Sequence, residues 1–176
     1  MNTTQPLPLV PPSRAVLLFA LVLAACGGPT VVPPASPADL RSISEARAIE
    51  LIGQTLGEAS TRPSTGWTID IGAERPLEVD LRLDNTRFGI EWVTPLDRDA
   101  YGDTIPQPDP SGQLRILPGV DNDANAQILV LDERMYRFDP DLERVEHGAT
   151  GARDVEGRIG RDVRDFIEYV RGQGAQ

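Results

Sequence analysis

Three short segments in the middle of the chain alternate strictly between apolar and other side chains. They cover residues 67–71, 77–83 and 88–92, and turn-rich sequence separates them. Because successive side chains of a β-strand point to opposite faces, each segment has one apolar face. Three such strands close together in sequence predict an antiparallel meander with one buried face.

A helical pattern lies on each side of these strands. Ser42 followed by Glu45 has the spacing of a capping box, and a helix is predicted after it. Its predicted apolar face consists of Ala46, Ile49, Ile52 and Leu56. From Asp154 onward a second helical face is predicted from Val155, Ile159, Val163, Phe166, Ile167 and Val170. The chain is therefore expected to have an N-terminal and a C-terminal helix.

The region between the meander and the C-terminal helix is less regular. Residues 127–131 form an apolar run, and with Tyr136 and Phe138 they predict a second hairpin whose strands are buried on both faces. Residues 95–126 contain five prolines and one predicted short strand at 114–117. Loops of this length inside a domain are usually either functional or wrongly predicted as loops, and we take residues 95–126 as the predicted ligand or partner surface.

These patterns predict one α+β domain over residues 39–176. The expected architecture has two layers, an antiparallel β-meander and the two helices packed on it. Cys26 is the only cysteine, so the domain is expected to be held by its hydrophobic core and not by a disulfide.

The N-terminus predicts where the protein resides. Arg14 is the only charged residue before Asp39, and the apolar stretch 15–25 follows it. Eleven residues extend about 16 Å as a helix, roughly half of a bilayer core, so the stretch fits a secretory signal and not a membrane span. The sequence Leu23-Ala24-Ala25-Cys26 that ends it resembles the lipobox of bacterial lipoproteins.

This resemblance implies a signal peptide over residues 1–25 and lipidation of Cys26, including a fatty acyl chain such as palmitate. The proline-rich residues 26–38 would then tether the domain to the membrane in extended form. Gly27, where inner-membrane lipoproteins of enterobacteria have Asp, implies an outer-membrane location facing the periplasm or the cell surface. The alternative is an ordinary signal peptide that leaves Cys26 unmodified.

Charge limits the partners of the domain. The formal net charge is −10, and all 17 basic residues are arginine. Nucleic acid is therefore not an expected partner, and the charge favours a basic protein, a cation or a neutral ligand. Together with the location that the lipobox resemblance implies, this predicts a protein partner in the cell envelope.

Acidic side chains are predicted on the polar face of the meander. If 85–86 closes the second hairpin, Asp80 lies opposite Glu91, and Arg82 lies diagonal to Glu91 and neutralises it. The possible interaction face consists of Asp70, Glu78, Asp80, Arg82 and Glu91. A solvated face is the preferred interpretation, and a cation site at the opposed carboxylates is the alternative.

A second oxygen-rich segment is similar to an EF-hand loop. Its candidate ligands are Asp121, Asp123, Asn125 and Asp132. Ala126 occupies the position of the usual glycine, and Pro118 interrupts the entering helix, so a polar turn is preferred. No metal or other cofactor is predicted.

The sequence also favours a protein without catalytic activity. His147 is the only histidine, so a histidine-based zinc motif is excluded, and the chain lacks the Gly-x-Ser-x-Gly motif of hydrolases. No catalytic residues are assigned.

The segment Ser44-Glu45-Ala46-Arg47-Ala48-Ile49, which begins a helix before a three-stranded meander, resembles PepSY modules. That resemblance implies a role in inhibiting or assisting peptidases. The preferred function is a non-enzymatic binding module anchored in the cell envelope. The alternatives are a calcium-stabilised structural module, a PepSY-like peptidase inhibitor and a hydrolase accessory protein.

Overall fold

Helices and strands are interspersed along residues 32–174, the part of the chain that the structure, a computed structural model, describes. In chain order the elements are β1 (Arg41–Ser42), α1 (Glu45–Glu58), β2 (Pro63–Ser64), β3 (Trp67–Ile69), β4 (Leu77–Val79), β5 (Leu81–Leu83), β6 (Phe88–Val93), α2 (Pro95–Tyr101), β7 (Arg115–Pro118), β8 (Gln127–Asp132), β9 (Arg137–Phe138), α3 (Leu142–Glu146) and α4 (Ala152–Gly174). Single 3₁₀ turns lie at Gly102–Thr104, Asp121–Asp123 and Glu133–Met135.

The central sheet has five strands in the order β2-β5-β6-β8-β7. Neighbouring strands are antiparallel except β6 and β8, which run parallel from Phe88 paired with Gln127 to Val93 paired with Asp132. Strands β3 and β4 form a separate ribbon, and β1 pairs with β9. The expected α+β class, with a mostly antiparallel sheet and a C-terminal helix, is confirmed.

The prediction of a second hairpin is wrong. Strand β8 pairs with β6 and β7, whereas β9 pairs with β1 at the other end of the sequence. The chain leaves the sheet because Asp132 caps the 3₁₀ turn that follows β8, accepting a hydrogen bond from the backbone N–H of Arg134 at 2.9 Å. Burial of β8 on both faces is as predicted, since every residue after Gln127 in this strand is buried.

The predicted register of the β5–β6 hairpin is confirmed. Leu81 pairs with Ile90 and Arg82 pairs with Gly89. Asp84 and Asn85 have positive φ values of 47° and 56° in the turn, a conformation that Asp and Asn tolerate better than most residues.

The meander segment 77–83 is not one continuous strand. It bends at Asp80, so β4 pairs with β3 while β5 pairs with β6. Val79 therefore lies opposite Trp67, whereas an unbroken strand over 77–83 would place it opposite Trp92.

The bend produces two hydrophobic clusters, one on each face of β6. The first lies between the sheet and helices α1 and α4, and includes Ile52, Trp92 and Phe166. The second lies between the β3–β4 ribbon and the sheet, and includes Val79 of the ribbon and Ile128 of β8. All six residues of β6 are consequently buried.

Both long helices form where the patterns predict them, with one correction. The N-cap of α1 is Ser44, whose side chain accepts from the N–H of Arg47, whereas Ser42 pairs with Arg137 in β1. The buried face of α1 consists of Ala48, Ile52, Thr55 and Leu56, so Ala46, which was predicted on this face, is exposed. On α4 the buried residues are Val155, Ile159, Val163, Phe166 and Ile167, as predicted, and Val170 is half-buried at the edge of the same core.

The 95–126 segment contains more structure than predicted. The short strand expected at 114–117 is β7, and helix α2 begins directly after β6. Pro95 occupies the first helical turn, and Thr94 and Asp97 form a reciprocal capping box. None of the helices described between residues 32 and 174 is both long and apolar enough to cross a membrane.

Candidate functional site

A cleft of about 250 Å³ lies between the loop before β7, the end of β8 and helix α4. The loop wall runs from Pro108 to Leu114, which places it within the segment predicted to bind a ligand or partner. The opposite wall is formed by Arg158, Arg161 and Asp162 of α4, and Tyr136 lies between the two walls.

The helical wall follows from the spacing of its residues. Positions 158, 161 and 162 are three and four residues apart, so they share one side of α4. Ile159 and Val163, directly after two of them, are fully buried against the sheet. Arg158 and Asp162 therefore lie at the border between the helix core face and solvent, where they are half-buried.

Tyr136 connects the cleft to the core. Its ring is buried, with its centroid 5.2 Å from that of Trp92, and the guanidinium of Arg158 lies 5.6 Å from its centroid. The Tyr136 hydroxyl donates to Oδ2 of Asp162 at 2.7 Å. Burial, and next the negative charge of Asp162, raise the pKa of Tyr136 above its ordinary value, so the phenol stays protonated and acts as a donor.

The loop wall is shaped by Asp109. Its carboxylate accepts from the backbone N–H of Ser111 at 2.8 Å and contacts Nη2 of Arg115 at 2.9 Å. Hydrogen bonds from the backbone N–H and then from the side chain of Ser111, with a smaller contribution from the positive charge of Arg115, lower the pKa of Asp109. Gly112, with a φ of 76°, completes the turn by donating its N–H to the carbonyl of Asp109 at 2.9 Å.

Two arginines of the cleft have N–H donors without a hydrogen-bond acceptor or carboxylate partner among the described residues. Nε of Arg115 is buried without a hydrogen-bond partner among residues 32–174. Arg158 forms no ion pair with any described carboxylate, although it lines the same cleft. Unpaired donors of this kind favour an acceptor in the cleft.

A smaller depression of about 190 Å³ lies beyond the carboxyl ends of β6 and β8. Asp132 is buried there and accepts from Arg98 at 2.7 Å and from Arg134 at 2.9 Å. Burial disfavours the charged carboxylate, but the hydrogen bonds from these two arginines prevail and lower the pKa of Asp132. Arg98 also donates to the carbonyls of Ile105 and Pro106, both at 2.7 Å, so this cluster holds the 102–106 segment on the sheet.

The EF-hand-like residues do not form one site. Asp121 and Asn125 are exposed in a 3₁₀ turn and the residues after it, while Asp123 accepts from the N–H of Asp70 at 2.9 Å. Asp132 lies at the far end of β8, bonded to its two arginines. Within residues 32–174, no three or more side chains of the His, Cys, Asp or Glu type are placed to hold a metal ion.

Only part of the predicted acidic face is exposed to solvent. Glu78 is exposed and Asp70 and Asp80 are half-buried, but Glu91 is buried at 4 % exposure beneath the β3–β4 ribbon. The expectation of a solvated face at Glu91 is therefore wrong, because the bend at Asp80 folds the ribbon over this side of β6.

Arg82 does not neutralise Glu91 as expected. Its guanidinium lies 4.5 Å from the ring centroid of Trp67, and its Nε donates to the carbonyl of Thr86 at 2.6 Å. Asp80 and Glu91 therefore face each other without this arginine between them.

Protonation relieves the repulsion between the two acids. Burial, and then the charge of Asp80, raise the pKa of Glu91 to about 9. Burial raises the pKa of Asp80 to about 6, an effect opposed by the hydrogen bond from the N–H of Trp92 and aided by the charges of Glu45, Asp97 and Glu78. At neutral pH, Glu91 is therefore protonated and Asp80 is largely ionised.

His147 lies outside the cleft. It is exposed at the C-terminus of α3, and its Nδ1 is 2.8 Å from the carbonyl oxygen of Glu143. The predicted signal peptide and Cys26 lie outside the described residues. Of the predicted tether, the last part is close to the domain, since the carbonyl of Pro37 accepts from Arg137 at 2.8 Å.

Sequence reasoning identified the loop wall but missed the helical wall. Tyr136 was predicted only as a strand residue, although a buried tyrosine needs a partner for its hydroxyl. The spacing of Arg158 and Asp162 on the border of the α4 apolar face is the signal that could have indicated where that partner lies.

Comparison with known proteins identified no relative of this chain. No protein-family model, no curated protein and no solved structure matches the chain.

Proposed function

We propose that this protein is a non-enzymatic binding module, anchored by lipid at Cys26 in the bacterial cell envelope, and that the cleft between residues 108–115 and α4 is its binding site. The observation that carries the proposal is the cleft itself. It combines an apolar side, a loop that the sequence predicts as a binding surface, and arginine donors without partners in the part of the chain that the structure describes.

The chemistry of the cleft supports binding more than catalysis. Its described lining contains neither histidine nor cysteine. Asp109 has a lowered pKa, and Tyr136 has a raised one, so neither is suited to exchange protons near neutral pH. Ser111 lies in the loop wall, but Asp109, the carboxylate that contacts it, has a lowered pKa and is therefore a weak base for the serine hydroxyl.

A photo-crosslinking side chain placed at the exposed Ser111 tests this function in intact cells. The matched control position is Arg153, which is exposed on α4 and does not line the cleft. We expect a specific adduct from position 111 that is absent from position 153. The adduct should disappear when Arg158→Glu is introduced into the same protein.

The opposite result would contradict the proposal. If position 111 gives no adduct, or if its adduct persists in the Arg158→Glu protein, the cleft is not the binding site. The melting temperature of each variant, compared with that of the unsubstituted protein, distinguishes loss of binding from loss of folding.

A calcium-stabilised structural module is the second candidate function. The pair of half-buried Asp80 and buried Glu91 is the observation in its favour, since a cation would neutralise both carboxylates. A proton on Glu91 gives the same relief without a metal, so we favour the binding module.

A further inference from the structure

We infer that the cleft accepts a small monoanion, namely a single carboxylate on a short apolar body. This inference rests on the proposed function, because it names the class of ligand for the same cleft. The carboxylate would bind Arg158 and Arg115, and the apolar body would lie against Tyr136 and its neighbours.

The charged side chains that line the cleft favour a ligand with one negative charge. Arg115 is paired with Asp109 at 2.9 Å, and Nε of Arg161 lies 3.7 Å from Asp162. Asp132, the third acidic residue of the lining, is neutralised by Arg98 and Arg134, which do not line the cleft. Arg158 remains as a positive charge without a carboxylate partner among the described residues, so one anionic group balances the site.

The positions of the arginines fit a carboxylate head group. Arg158 comes from α4 and Arg115 from β7, so they approach the cleft from opposite walls. A guanidinium is a planar donor that matches the two oxygens of a carboxylate. The buried Nε of Arg115, which has no acceptor among residues 32–174, offers a further donor on the loop side.

A dianion is disfavoured at the same place. Asp109 and Asp162 stand on the two walls, so a second negative charge would face a carboxylate on either side. The chain as a whole has a net charge of −10, which also opposes highly charged anions. The site therefore favours a carboxylate over a phosphate dianion.

The remainder of the lining fits an apolar body of limited size. Leu114, Leu131 and Met135 line the cleft together with the ring of Tyr136. The volume of about 250 Å³ is slightly smaller than the range of about 300–1,000 Å³ that drug-sized ligands occupy. One aliphatic side chain next to a carboxylate is a ligand of suitable size.

Titration of the ¹⁵N-labelled, detergent-solubilised full chain with N-acetyl-leucine tests this inference. Chemical shifts are followed for the amides of Ser111 and Gly112 and for the side-chain Nε of Arg158. The neutral N-acetyl-leucinamide is the matched control ligand, and inorganic phosphate tests the dianion. We expect saturable shifts with the acid and an affinity about tenfold or more lower for the amide, as loss of one charged hydrogen bond implies. Phosphate should shift these signals less than the acid does.

Variants locate the binding within the cleft. Arg158→Gln should weaken binding of N-acetyl-leucine about tenfold or more, whereas Arg153→Gln on the same helix should leave it unchanged. A tripeptide ending in leucine and 4-methylpentanoate carry the same head group, and tighter binding of either one shows whether a chain terminus or a free acid is preferred.

Two results would overturn the inference. If the amide binds as tightly as the acid, or if phosphate binds more tightly, the ligand class is wrong. If no probe shifts the cleft signals while the crosslinked adduct at Ser111 still forms, the carboxylate is wrong and the binding function stands. If both the shifts and the adduct are absent, the binding function fails as well.

Discussion

Asp80 and Glu91 lie opposite each other across the β5–β6 hairpin, and each carboxylate accepts a hydrogen bond from the backbone of the facing segment. Glu91 Oε2 accepts from the N–H of Asp80 at 3.1 Å, and Asp80 Oδ2 accepts from the N–H of Trp92 at 2.7 Å. At the bend, the N–H groups of Asp80 and Trp92 do not donate to a neighbouring strand. The two carboxylates accept these hydrogen bonds instead.

The first prediction concerns Glu91→Gln and pH. The folded pKa of about 9 lies above the ordinary value of 4.5, so the folded state binds this proton more tightly than the unfolded state does. The contribution of Glu91 to stability is complete below pH 4.5 and is lost as pH rises to about 9. Glu91→Gln keeps the acceptor oxygen but cannot ionise, and should stabilise the protein by about 4–5 kcal/mol at pH 8 and little at pH 4.5.

Denaturant unfolding at several pH values, followed by tryptophan fluorescence, measures this effect. The control is Glu78→Gln, because Glu78 is exposed on the neighbouring strand β4. If the free energy of unfolding depends on pH in the same way for Glu91→Gln as for the unsubstituted protein, Glu91 is not held protonated in the folded state.

The second prediction distinguishes the proton from a metal ion at the same pair. We expect no calcium-dependent rise in melting temperature, and we expect Asp80→Asn to be neutral or stabilising above pH 6, because the folded pKa of Asp80 is raised to about 6. Thermal unfolding with and without millimolar calcium measures both. A saturable calcium-dependent rise that Asp80→Asn abolishes would support the calcium-stabilised module instead.

The third prediction concerns the docking of α4. Phe166 is fully buried and lies edge-on to Phe88, with ring centroids 6.4 Å apart. Phe166→Ala should therefore destabilise the domain by about 3–5 kcal/mol in denaturant unfolding. Leu96→Ala is the control, since Leu96 is 78 % exposed and should cost less than about 0.5 kcal/mol. A cost below about 1 kcal/mol for Phe166→Ala would contradict the packing of α4.

The fourth prediction compares two glycines. A Cβ at Gly89 would lie 2.8 Å from Cγ1 of Val79 and 3.0 Å from the Trp67 ring, so Gly89→Ala should destabilise the domain by about 1–3 kcal/mol. A Cβ at Gly157 on α4 meets nothing within 4 Å, and Gly157→Ala should stabilise by about 0.5–1 kcal/mol. Equal effects of the two substitutions on unfolding would mean that the β3–β4 ribbon does not pack on Gly89.

The fifth prediction tests the membrane anchor. Cys26→Ala should prevent incorporation of labelled fatty acid and should release the protein from the membrane fraction, because lipidation of Cys26 is the proposed anchor. Fractionation after a high-salt wash measures the release. Retention of the Cys26→Ala protein in the washed membranes would show that another anchor exists.

The elements of the domain were predictable because their signals are local. Alternation at positions such as Leu81 and Leu83, and helical spacing at Ile159 and Val163, depend only on residues a few positions apart. The register of the β5–β6 hairpin was predictable for the same reason, since a short turn determines which residues face each other.

The sequence by itself determined the α+β class, the two long helices and the opposition of Asp80 to Glu91. Only the tertiary structure decided the parallel pairing of β6 with β8, the burial of Glu91 and the cleft beside Tyr136. Each of these depends on contacts between residues far apart in the chain, as between Tyr136 and Asp162. Such contacts are selected by the packing of the whole core, which no local pattern of side chains encodes.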